Sequence, residues 1–359
     1  MITYRYKRIA VKVGSNVLTQ KDGTLDVTRM SAIVDQVSML QKAGVEVILI
    51  SSGAVASGRS LVQTSRKLDA VDQRQLFSAV GQVILINRYY DLFHQKGLTC
   101  GQVLTTKESF SSRRHYLNQK NCMTVMLENG VIPVVNENDT ISVMELMFTD
   151  NDELSGLIAT MMDAEALIIL SNIDGIYDGN PNDPTAKVIR EIKPDIDLKQ
   201  YIADEKSSFG RGGMLTKCNI ARKVAEEGIP VIIANGKKDF ILTDLMDEAQ
   251  DVVCTRFLPT KKASAVKKWI AHSEGFSKGE IHINEGCFTA LNQKATSVLP
   301  VGITRIEGNF ERGDIVGIFN DSGVQIGVGK AQYGSETARD VIGKKGEKPL
   351  VHYDYLFLD

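Results

Sequence analysis

The chain has 359 residues, 43% hydrophobic and 24% charged, with 42 Lys and Arg against 44 Asp and Glu. At ~150 residues per domain this length predicts two to three domains. The balanced charge excludes a generally polybasic nucleic-acid binder, and apolar runs along the whole length exclude intrinsic disorder.

No apolar run approaches the ~18–20 residues of a membrane helix. The first residues lead directly into a strand-like run, without the apolar segment and small-residue cleavage site of a secretory leader. Five cysteines (Cys100, Cys122, Cys218, Cys254, Cys287) are odd in number, widely spaced and form no C-x-x-C pair. The histidines show no pair at helical ligand spacing. A cytoplasmic protein with reduced thiols and no structural metal is expected.

Short β-branched runs alternate with amphipathic stretches over the first ~255 residues, the pattern of βαβ units. Arg8–Val13 reads as a strand that ends at Gly14. Asp26–Ala43 reads as a helix, with Met30, Ile33, Val34 and Val37 on one face and Gly44 closing it. Val45–Ile50 is the next strand, and Asp69–Lys96 a long helix stopped by Gly97. Strands follow at Leu98–Leu104, Val131–Val135, Ala166–Leu170 and Ile229–Ala234. They are apolar nearly throughout, as in a parallel sheet covered on both faces. The pattern predicts a three-layer α/β/α sandwich. Thr255–Phe276 reads as a linker helix. Beyond it, GEIHINEG, VGITRIEGNF, GDIVGIFND and GVQIGVGK are short strands between turn residues, predicting a small, mostly β barrel or sandwich. The expected division is therefore 1–255, a linker at 256–275, and 276–359.

Ligands of open α/β sheets bind beyond the carboxyl ends of the strands, so these ends carry the functional signal. Lys12 lies in a covered strand, where its ammonium needs an anionic partner or ligand. Gly14 after it permits a turn whose N–H groups face an anion; an edge lysine reaching solvent is the alternative. Ser51-Ser52-Gly53-Ala54 is a small-residue turn that allows close approach. Asn136-Glu137-Asn138-Asp139-Thr140 suits an ammonium or amide group, although a solvated loop has the same composition. Asp150-Asn151-Asp152-Glu153 opens a helix and is equally explained by capping. Ser171-Asn172-Ile173-Asp174-Gly175 turns toward a hairpin. Gly210–Lys217 combines glycines with a lysine at a helix start, an anion-site pattern, or else a flexible interdomain loop. Neither a Walker A loop nor a G-x-G-x-x-G fingerprint occurs. Two lysines, glycine turns and carboxylates at strand ends describe phosphoryl transfer by electrostatics.

The set VKVGSNVL, ISSGAVASGR, VIPVVNENDT, TDNDELSG, SNIDGIY and GRGGMLTK resembles the glutamate 5-kinase family. The likeness runs in order from about residue 8 to the end of the chain, and residues 276–359 resemble a PUA domain. The resemblance implies the amino-acid kinase α/β/α fold and a PUA-like C-terminal domain. It implies conversion of ATP and L-glutamate to ADP and L-glutamyl 5-phosphate, the first step of proline biosynthesis, with Mg2+ on the nucleotide. Lys12 and Lys217 would contact the phosphates and Asp152 would orient them. Ser52, Gly53, Asp139 and Asn151 would hold glutamate. Gly14, Ser171, Asn172, Arg211, Gly212, Gly213, Met214, Leu215 and Thr216 would line the nucleotide site with the lysines. Two positions depart from the family pattern: Asn172 replaces a common Asp, and Arg211 stands where a smaller residue is usual. A homo-oligomer and proline feedback are further implications. The alternatives are a different small acceptor, or an RNA role for the C-terminal part. RNA is not expected, because residues 275–359 carry 9 Lys and Arg against 11 Asp and Glu.

Overall fold

The computed structural model describes residues 3–20, 22–111, 113–141, 151–181, 183–194, 214–260, 277–293 and 296–358. The chain divides into two compact units: Met1–Lys107 with Lys120–Lys262, and Glu108–Gln119 with Ala263–Asp359.

In the first unit the elements run β1 (Arg8–Val13), α1 (Ser15–Leu18), α2 (Val27–Lys42), β2 (Glu46–Ile50), α3 (Ala54–Leu61), α4 (Ala70–Gln95) and β3 (Thr99–Thr105). The chain then passes through α5 (Glu108–Ser111), which belongs to the second unit, and α6 (Arg113–Glu128), which begins there. The first unit continues with β4 (Val131–Glu137), α7 (Asn151–Met161), β5 (Ala166–Ser171), β6 (Glu191–Ile192), α8 (Met214–Glu226), β7 (Val231–Asn235), α9 (Ile241–Met246) and β8 (Thr255–Phe257). The helix starts follow local chemistry. Asp26 Oδ1 accepts the Arg29 N–H at 2.9 Å and Asp69 Oδ1 accepts the Asp72 N–H at 2.8 Å, so α2 and α4 begin at side-chain caps.

The sheet order is β3-β4-β2-β1-β5-β7-β8-β6. All pairings are parallel except β7 with β8. The chain fills one side of β1 with β2 and the other with β5, so the order reverses around the β1 carboxyl end, the crevice where such sheets bind ligands. Side-chain alternation sorts the two faces. Ile9, Val11 and Val13 pack with Met30, Ile33, Val37, Leu85, Phe93 and Leu245 in one apolar core. Ala10 and Lys12 point to the opposite face, where α7 lies against β1 and α8 against α7.

Two expectations about this unit are corrected. Thr255–Phe257 does not open a linker helix; with alternating burial it forms an antiparallel strand against Val231–Ile233 and carries β6 on its other side. Residues 261–276, the rest of that expected helix, lie outside the described residues. Asn136 and Glu137, expected in a loop, are the last residues of β4, paired with Leu104 and Thr105 of β3. The predicted hairpin beyond β5 is present, with Tyr177 bridged to Val188.

The second unit holds β9 (Gly279–Ile283), α10 (Glu285–Gln293), β10 (Ile303–Gly308), β11 (Ile315–Phe319), β12 (Gln325–Ala331), α11 (Ser335–Val341) and β13 (Val351–Leu358). It is mostly β, as expected, but forms one five-stranded sheet, β10-β9-β11-β12-β13, rather than the two sheets of a sandwich. Ile281, Ile283, Val316, Ile318, Phe310 and Val351 form its core with Leu291 and Ala338 of the two helices.

Candidate active site

The residues at the β1 carboxyl end come from three elements. Lys12 extends from β1 toward α7, where its Nζ lies 2.6 Å from Asp152 Oδ1. Lys217, in the first turn of α8, places its Nζ 3.0 Å from Asp152 Oδ2. One carboxylate thus bridges two ammonium groups. The Asp152 side chain is 1% exposed and that of Lys12 is 6% exposed. Burial pushes the Asp152 carboxyl up, but Lys12 and Lys217 outweigh it and hold it below the usual carboxylate range. The three groups carry a net charge of about +1 when ionised.

Gly14 follows directly, and one expectation about it is corrected. Its N–H does not face an anion: it donates to Leu170 O at 3.0 Å. Its φ of −67° is open to any residue. Space decides the residue instead, since a Cβ would lie 3.1 Å from Leu170 O and 3.7 Å from Lys12 Nζ.

The β5 and β7 ends supply the neighbouring edge. Ser171 is buried at the end of β5, its hydroxyl 3.4 Å from Asn172 Oδ1. Asp174 accepts from Asn235 Nδ2 at 2.9 Å and pairs with Lys238 Nζ at 2.9 Å. Desolvation raises the Asp174 carboxyl, and those two partners bring it below its ordinary value. Met214, Leu215 and Thr216 precede Lys217 in the first turn of α8. Arg211, Gly212 and Gly213 lie outside the described residues. Burial drives the Cys218 thiol, next to Lys217, up to about 12, which excludes it as a nucleophile at neutral pH.

Beyond β2 and β4 the site changes character. Asn151, the first residue of α7, donates from Nδ2 to Ser51 O at 2.9 Å, Ser52 Oγ at 3.0 Å and Asn136 Oδ1 at 3.1 Å. Asn136 in turn donates to Gln82 Oε1 of α4 at 2.9 Å. Gly53, which caps α3, has φ +103°, a left-handed conformation that favours glycine and lets the chain turn directly off β2. Asp139 is buried beyond β4 and receives a hydrogen bond from Arg74 Nε, while Arg74 Nη2 donates to Glu137 Oε2.

The structure therefore brings together Lys12, Asp152 and Lys217 in one cluster, and Ser52 and Asn151 in another joined to it through α7. Asp139 meets Arg74. Sequence reasoning pointed to Asn136 within its polar segment but missed Arg74 and Gln82. Arg74 sits in the second turn of α4 and Gln82 near its middle, 63 residues before Glu137 and 54 before Asn136, and a polar residue on a helix is no signal by itself.

The model of the amino acid kinase family matches residues 7–235, most of the first unit. The chain belongs to the amino acid kinase family. A PUA domain matches residues 279–353. The chain is 71% identical to a glutamate 5-kinase of Bacteroides thetaiotaomicron over 99% of both chains. It is 49% identical to a glutamate 5-kinase of Chlorobaculum tepidum over 98% of both. In structure, a carbamate kinase from Giardia lamblia bound to AMP-PNP shares the fold at a TM-score of 0.51 and 17% identity, covering 71% of this chain and 99% of that one. Two fixed ammonium groups beside a polar cluster can stabilise a transferring phosphoryl group by electrostatics.

Proposed function

We propose that this chain transfers the γ-phosphoryl group of ATP to the γ-carboxylate of L-glutamate, giving L-glutamyl 5-phosphate for proline biosynthesis. One observation carries the proposal: the Lys12–Asp152–Lys217 bridge is continuous through α7 with the Asn151–Ser52 polar cluster. Cations therefore face the reacting phosphate while neutral and acidic groups face an amino-acid acceptor. The glutamate 5-kinases found at high identity over the full length support the choice of acceptor.

Lys12 and Lys217 would balance charge on the γ-phosphoryl oxygens, and Asp152 would hold both ammonium groups in place. Ser52, Gly53, Asn151 and Asp139 would orient glutamate. Gly14, Ser171, Asn172 and the stretch Arg211–Thr216 would line the nucleotide. Both Asp152 oxygens are engaged by lysines, which fits a Mg2+ carried on the nucleotide rather than one held by the protein. When bound, that ion would bridge and neutralise phosphate oxygens.

The domain division is proposed as a kinase part, a linker and a PUA-like part, with the kinase part extended through Phe257. For the assembly we favour a homo-oligomer. Leu76, Val83 and Tyr90 are exposed at 37%, 57% and 51%, and recur every seventh residue along α4. Proline is proposed as a feedback ligand and RNA is not. No helix among the described residues is long and apolar enough to cross a membrane, and the protein is proposed to work in the cytoplasm.

The test is ADP release from Mg-ATP with L-glutamate, L-aspartate, N-acetyl-L-glutamate and carbamate, with hydroxylamine trapping the acyl phosphate. Glutamate-dependent release with a trapped hydroxamate supports the proposal. Preference for another acceptor overturns glutamate while leaving a kinase.

A further inference from the structure

Two acidic side chains close the acceptor end of the site, and one guanidinium reaches both. Glu137 ends β4 and Asp139 follows two residues later, in the turn beyond it. Their side chains are 2% and 6% exposed. Arg74 reaches both from α4, donating to Asp139 through Nε and to Glu137 through Nη2. The planar guanidinium satisfies two divergent carboxylates at once, which a single ammonium does less well. Arg74 is also held from behind. Asp69 caps the start of its helix, and the neighbouring Gln75 donates to Thr140 O at 3.1 Å, tying the segment after Asp139 to the same turn of α4.

The charge pattern gives this arrangement a functional meaning. Arg74 stands between two carboxylates at this end, whereas Asp152 stands between two ammonium groups at the other. The polar bridge between the two triplets is neutral: Asn136 and Asn151 are hydrogen-bonded to each other, and Asn136 Oδ1 also accepts the Glu137 N–H at 2.9 Å. An amino dicarboxylate matches this polarity if its ammonium faces the acidic end and its reacting carboxylate faces the lysines. Its second carboxylate, on the carbon that bears the ammonium, must then also sit near the acidic end. Two uncompensated carboxylates there would attract the ammonium and repel its neighbour.

We propose that Arg74 is a positioning residue that sets acceptor specificity. By donating to both buried carboxylates and fixing them, it lets the site accept an α-amino acid rather than a simple amine. The inference rests on the glutamate kinase function proposed above.

The test uses full-length protein and steady-state kinetics with L-glutamate and with γ-aminobutyrate, which has the same ammonium and reacting carboxylate but no α-carboxylate. Arg74→Gln is expected to raise the glutamate KM by about 30-fold or more, as for loss of one member of a buried charge pair. The ATP KM should stay within about threefold, and the kcat/KM preference for glutamate over γ-aminobutyrate should shrink by about tenfold. Arg74→Lys should recover part of that preference. Arg74→Gln combined with Glu137→Gln restores the net charge, and should lower the glutamate KM at least about fivefold below that of Arg74→Gln alone. Parallel rises in both KM values, or an unchanged preference between the two acceptors, overturn the proposal and make Arg74 a packing residue. Should Arg74→Gln not fold, the lysine variant and the double variant decide by the same two ratios. A wild-type protein that releases no ADP with glutamate refutes the proposed function itself, a result separate from these comparisons.

Discussion

Gly156 of α7 abuts Val224 of α8: a Cβ on the glycine would lie 2.9 Å from Val224 Cγ2 and 3.1 Å from Ile220 Cγ2. Gly156 stands one turn after Asp152, and Ile220 stands three residues after Lys217, so the closeness of these helices sets how near Lys217 comes to Asp152. Gly156→Ala gains about 1 kcal/mol of helix propensity and loses a similar amount to crowding. Its melting temperature should therefore change little. The activity should not escape, because a displacement of even 1 Å at reacting groups can cost about 10²-fold. We expect kcat to fall by about tenfold or more; normal turnover would show that the α7–α8 spacing does not govern the site.

The two lysines should separate cleanly from ordinary surface charge. Lys12→Ala and Lys217→Ala are each expected to lower kcat by about 10²-fold, the typical loss of one fixed electrostatic stabiliser. Lys42→Ala, an exposed change in the last turn of α2, should leave turnover unaltered. Circular dichroism confirms folding in each case. A folded Lys12→Ala protein with wild-type kcat removes β1 from the phosphate site.

Acid stability reports on Asp152. Its carboxyl lies below the ordinary value in the folded chain, so the unfolded chain binds the proton first as pH falls. The stabilisation from the lysine bridge is therefore complete above about pH 4, the ordinary carboxylate value, and is lost as pH drops toward the folded value. Denaturant titrations at several pH values should show a steeper acid loss in the wild type than in Asp152→Asn. Equal slopes would mean that this carboxylate is not ionised against the lysines.

A stability test concerns α3 and α4, which meet backbone to backbone. A Cβ on Gly81 would come 1.7 Å from Ala54 O, and one on Gly58 would come 1.8 Å from Phe77 O. No side-chain rotation relieves either contact, since backbone carbonyls are the obstacle. Gly81→Ala should destabilise by about 3 kcal/mol, at the upper end for overpacking, despite its better helix propensity. The denaturation midpoint measures this, and an unchanged midpoint would refute the close crossing.

The sequence by itself determined the layers and most of the strand ends. Apolar runs in β1, β2 and β5 had to be covered on both faces, and Asp26, Asp69, Gly44 and Gly97 punctuate α2 and α4 through caps that are local chemistry. It also pointed to Lys12 and Lys217, because a lysine in a buried strand and another behind a glycine run each need an anion. Tertiary structure alone decided what those residues meet. The antiparallel pairing of Thr255–Phe257 reflects an empty sheet edge, which no local pattern encodes. The Gly14 N–H is claimed by Leu170 only because β5 lies beside β1. Arg74, a plain helical arginine in the sequence, acquires its two carboxylates through the packing of α4 against the end of β4. Long-range charge pairing depends on which elements become neighbours, and that is settled by burial of apolar faces far from the charges themselves.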